Sequence, residues 1–237
     1  MKEHLDTQNE NIMKLLTEKS VMKQNVYINT INVFSRFSKL SSEIIDSIDR
    51  KISKIDNRVT LEHKTFNQQS FQLKVAGDLL GFEMHTNVFD FDRSHHIFKT
   101  GYLKQDINNS FCGIISVYNF LSDSFKYNRL SDLGFLIARI YINKDNHFFI
   151  ETRTGLNLRY SMFSEKPISD DNIRDIIQEL VIYAIHFDLY VPPYDVVKQV
   201  TVAEIQEKAS SAVLRTGKRL GYIAGSGSDD IFDDANL

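Results

Sequence analysis

The sequence predicts an α+β fold: a long N-terminal helical arm, a central mainly antiparallel sheet, and two C-terminal helices packed on that sheet. Three observations carry the prediction. No proline or glycine interrupts the chain from Thr7 to Lys64. From about Phe71 to Tyr160 apolar and polar residues alternate, as they do along half-buried strands. After Pro167 the apolar period returns to that of a helix.

In the arm, Thr7 and Glu10 have the spacing of a capping box, which predicts a helix start near Thr7. Apolar residues then recur at Phe34, Phe37, Ile44, Ile48, Ile52, Ile55 and Val59, three and four apart, with Ser41 at the polar seam position. Charges fill the intervening positions. This is a coiled-coil-like pattern, and the seven apolar residues are the candidate interface to a second copy or to another helical protein. Val26, Tyr27, Ile28, Ile31 and Val33 crowd together and leave open whether the arm is one helix or two.

Strands are expected over Phe71–Val75 and Phe82–Val88, with a turn at Ala76-Gly77-Asp78 between them. A further strand is expected over Ile97–Leu103, and Ile114–Leu121 reads as either a strand or a short helix. Asp132–Arg153 predicts the central hairpin. If the loop runs from Asn143 to His147, Ile142 faces Phe148 and Ile140 faces Ile150, and Tyr141 with Phe149 and Arg139 with Glu151 share the opposite face. An even loop would mix the two faces, so the odd loop with a bulge is predicted. Ser169 is the expected N-cap of a helix with its stripe at Ile173, Ile176, Ile177, Leu180, Val181, Ala184 and Phe187. Thr201 and Glu204 repeat the capping-box spacing and predict a last helix to about Leu214. The resulting division is a helical arm at 1–65, a globular domain at 66–216 and a flexible acidic C-terminal tail at 217–237.

A hydrophobic content of 42% with 25% charged residues is that of a soluble globular protein. The net charge of −3 gives no basic footprint for nucleic acid over the whole domain. The single cysteine, Cys112, excludes an intrachain disulfide framework and reads as a buried small hydrophobe in a reducing compartment. The first residues carry acids where a secretion signal needs a basic then apolar run, and no apolar run approaches membrane length; a cytoplasmic location is expected.

Four groups could carry chemistry or recognition. Asp90, Asp92 and His96 offer oxygen and nitrogen ligands, the alternative of a divalent metal site in a chain for which no cofactor is otherwise expected. Arg139, Glu151, Arg153 and Tyr141 lie on one hairpin face and could grip an anion. Arg215-Thr216-Gly217-Lys218-Arg219 lacks the leading glycine and the following hydroxyl of a phosphate loop and is rejected as one. In the acidic tail, Ile231 and Phe232 between aspartates have the look of a short linear motif. The function read from these features is a non-catalytic assembly protein that oligomerises, or docks on a partner, through its arm. The alternative is an enzyme or small-ligand sensor with its site on the central sheet.

Overall fold

The computed structural model of the chain describes residues 2–206, except Ser131, Thr154, Gly155, Asn157, Arg159, Tyr190, Pro192 and Glu204. The phosphate-loop-like stretch and the acidic tail, Ile231 and Phe232 included, lie outside the described residues. Helix α1 (Lys2–Leu15), a turn of π-helix (Leu16–Ser20) and α2 (Val21–Ile52) follow one another without a break. The helix therefore begins before Thr7, and the crowded stretch near Val26 does not divide it.

Six strands follow: β1 (Leu61–Asn67), β2 (Ser70–Val75), β3 (Asp78–Met84), β4 (Cys112–Leu121), β5 (Phe135–Asn143) and β6 (Phe148–Thr152). They form one antiparallel sheet in chain order. The central hairpin has the predicted odd register, with Ile142 opposite Phe148, Ile140 opposite Ile150 and Arg139 opposite Glu151. Asn146 closes its loop with φ at 60°, a left-handed conformation that asparagine tolerates.

Other expectations fail as well. The arm does not run to residue 65: the helix ends at Ile52, and the expected boundary falls inside β1, an edge strand too polar to show a strand period. Nor is Ile97–Leu103 a strand. Its apolar residues come in adjacent pairs, which suits a 3-10 turn (His96–Lys99) and the short α3 (Gly101–Gln105) that lower Ile97 and Leu103 onto the sheet. A further short helix, α4 (Ser122–Lys126), links β4 to β5.

One face of the sheet is covered by α2 and by α5 (Asp170–His186). Ser169 caps α5 reciprocally with Asn172, as the sequence predicts at its first turn. The buried stripe of α2 is Met22, Val26, Thr30, Val33, Phe34, Phe37, Leu40, Ser41, Ile44 and Ile45, of which Met22 and Val26 pack with Phe111 just before β4. Phe34 packs on Phe71, which in turn stacks on Phe82 with centroids 4.4 Å apart. Where α2 crosses β4 the helix comes so close that a Cβ at Gly113 would land inside the Thr30 side chain. Glycine is required there by packing, because only a residue without a side chain admits the helix. Past α5, Tyr194, Asp195 and Val197 of the short α6 (Tyr194–Val197) are exposed, and most of the last helix expected from Thr201 to about Leu214 lies outside the described residues.

The seam read as an interface is thus turned inward. Phe34, Phe37 and Ile44 are buried in the chain's own core, and Ile52 and Val59 pack half-buried against it. Ile48 is partly exposed, and Ile55, at 81%, lies open beyond the end of the helix. A helical apolar period records that a face is covered; the covering element here is the chain's own sheet.

Candidate functional site

On the other face of the sheet, Ile97, Leu103, Cys112, Tyr141 and Phe149 make a second, smaller core with Phe91, Phe98, Tyr102 and Phe163 packed around it. Burial pushes the Cys112 thiol well above its ordinary range, so it stays protonated and unreactive. Three of the four hairpin candidates meet here. Glu151 accepts from the Tyr141 hydroxyl at 2.7 Å and from the Arg139 guanidinium at 2.6 Å. Burial, then the bond to Glu151, raise the Tyr141 phenol above its usual value. His95 Nε2 adds a third contact to Glu151 at 3.3 Å. Nothing in the sequence pattern singles out His95 for that role, because fifty-odd residues separate it from Glu151.

Arg153 does not join them. Its guanidinium sits 6.0 Å from the Phe135 ring and 5.9 Å from that of Phe187, at the end of the sheet below α5. With Glu151 engaged by three donors of its own chain, the group acts as a latch holding the Asp90–Lys99 segment to the sheet.

The proposed metal ligands do not converge. Asp90 accepts from Ser110 Oγ at 2.5 Å and from Arg93 at 3.2 Å. Asp92 closes a local turn onto the Ser94 hydroxyl and backbone, bonds that lower its pKa. His96 Nε2 lies 3.2 Å from the Ser161 carbonyl oxygen. Among the described residues no three His, Cys, Asp or Glu side chains form a metal cage.

The exposed apolar surface of the helical arm lies instead at its N-terminal end. Every side chain described from Asp6 to Val21 is exposed, and Met22 is the first to be buried. Ile12, Met13, Leu15, Leu16 and Val21 are 53, 61, 62, 49 and 52% exposed. The helix leaves the body near Phe111, whose ring lies 5.6 Å from Lys19 Nζ and 5.3 Å from Lys23 Nζ. The π turn Leu16–Ser20 sits at this point of departure. From there α1 and the π turn project about 28 Å at 1.5 Å per residue.

By its fold the chain is an α+β protein, an antiparallel meander with its two long helices on one face and a projecting helical end. Neither a protein-family model, a curated protein nor a solved structure matches it. No helix among the described residues is long and apolar enough to cross a membrane.

Proposed function

We propose that this chain is a non-catalytic assembly protein that docks on a partner through the projecting helix, and that Ile12, Met13, Leu15, Leu16 and Val21 are the contact residues. The observation that carries the reading is the exposure of those five side chains on a helix without cover from its own sheet. A free helix of this length is marginal in water, and most helical stability in proteins comes from packing an apolar face. The fit is to a partner with an apolar groove or helix face and a rim of mixed charge, since Lys14, Lys19 and Lys23 alternate with Asp6, Glu10 and Glu18 around the apolar residues. A cytoplasmic location fits the lone buried thiol of Cys112.

The test is substitution within the full chain. Ile12→Glu with Leu16→Glu places two charges on the docking face and leaves the sheet untouched. The expected result is loss of stoichiometric partner binding in native mass spectrometry, with the thermal unfolding midpoint unchanged. Retention of every wild-type complex by this variant would refute the reading.

A further inference from the structure

We propose that β1 pairs edge to edge with β1 of a second copy of this chain, antiparallel about a two-fold axis through His63. This goes beyond docking by α1 and rests on different residues.

The two edges of the sheet differ. β6 is closed by its own chain: Ile150 N–H donates to the Tyr160 carbonyl at 2.6 Å, and Ser164 N–H to that of Phe148 at 2.8 Å. Along β1 the outward Leu61 N–H is held by Asp49 Oδ1 at 3.2 Å, and no described backbone segment pairs with the rest. The direction of each group follows from the ladder. Ala76 N–H donates to the Thr60 carbonyl, and bonded pairs alternate in an antiparallel sheet. Glu62 and Lys64 therefore bond inward to β2, while Leu61, His63 and Thr65 aim their N–H and C=O groups at the edge, the Leu61 N–H already held by Asp49.

One register satisfies that edge. With His63 opposite His63 of the second copy, Leu61 meets Thr65 and Thr65 meets Leu61, so every outward residue faces another outward residue. On the solvent face the same register sets Glu62 opposite Lys64 of the second copy, and Lys64 opposite its Glu62. Slipping by two residues either way places Lys64 against Lys64 or Glu62 against Glu62. Opposite charges favour the full register and like charges disfavour its neighbours. Glu62 already contacts Lys74 at 3.2 Å on that face, and the second copy's Lys64 would join this pair.

The helix side leaves room. A groove of about 330 Å³ opens between α2 and the edge, with Ile31 and Phe34 lining it beside the small Ser35 and Ser38 and the Thr65 and Asn67 of β1. The proposed register brings Val59 of the second copy opposite Asn67, at the mouth of this groove. A sheet that ends in an open strand at one side and is closed at the other is a template for such pairing. Pairing through β1 leaves both α1 helices free, so the assembly would present two docking arms.

Sedimentation equilibrium of the full chain over a wide concentration range tests this with Glu62→Lys, Lys64→Glu and the double exchange. The wild type is expected to dimerise. Each single exchange sets like charges opposite one another twice and weakens the dimer by about tenfold or more. The double exchange restores both pairs, and with them the dimer, at unchanged net charge. A monomeric wild type, single variants that dimerise as the wild type does, or a folded double variant that stays monomeric each overturn the proposal. So does a dimer that dissociates on Ile12→Glu with Leu16→Glu, which would place self-association on α1. Slow amide exchange at His63 and Thr65 in a monomer would overturn it as well, by showing the edge covered by another segment such as 207–237.

Discussion

α1 and α2 are one continuous helix with opposite surroundings. From Asp6 to Val21 every described side chain is exposed; from Met22 to Ile45 a stripe of ten residues is buried. Both halves carry large apolar residues, gathered at Ile12–Leu16 in the more polar first half and spread as a regular stripe along the second. What separates them is whether a sheet lies underneath. A buried stripe contributes stability to its own fold, whereas an exposed one contributes little to it.

The sharpest break in that comparison is a pair of alanines. Phe37→Ala removes a fully buried ring that packs on Phe82 and is expected to cost about 3–5 kcal/mol. Leu15→Ala should change stability by less than about 0.5 kcal/mol. Urea midpoints at constant slope measure both, and equal losses would show that α1 is packed after all. Next comes Gly113→Ala, which forces a methyl into Thr30 and is expected to lower stability by about 1–3 kcal/mol. An unchanged melting temperature would mean that α2 crosses the sheet less closely.

Glu151→Gln has a smaller expected effect. It removes the charge facing Arg139, a half-exposed pair worth less than about 1 kcal/mol. It also loosens the latch on His95, so hydrogen exchange should quicken at Asp90–Lys99 while the α2 core stays protected. Uniform exchange across the two would argue against a latch.

The smallest effect is a pH slope. Burial lowers the His63 pKa from 6.5, partly offset by Asp46, with Ser38 Oγ at 3.1 Å from its ring nitrogen. The unfolded chain therefore takes up this proton first as pH falls through 6.5. Stability is fully present above that value and declines below it until the folded imidazole also titrates. His63→Gln should flatten that part of the curve, and an unaltered slope between the two proteins would assign it elsewhere.

The odd hairpin register and the cap at Ser169 were legible because each rests on neighbours in sequence. Ile140, Ile142, Phe148 and Ile150 must share a face, and Ser169 needs only Asn172. β1 was not legible. Of its seven residues only Leu61 is buried, so an edge strand shows no alternation to read. The candidate sites fared unevenly for the same reason. Arg139, Tyr141 and Glu151 meet because a ladder joins them, but Arg153 and the Asp90, Asp92 and His96 group depend on where loops turn.

By itself the sequence determined the long helices, the central hairpin and the apolar face of each, since periodicity and capping are properties of short stretches. Only the tertiary structure decided what covers each face. Phe34, Phe37 and Ile44 found the chain's own sheet, and Ile12, Leu15 and Leu16 did not. The physical reason is that hydrophobic burial is non-directional: an apolar stripe demands a cover, and the path of the backbone alone settles whether that cover belongs to the same molecule.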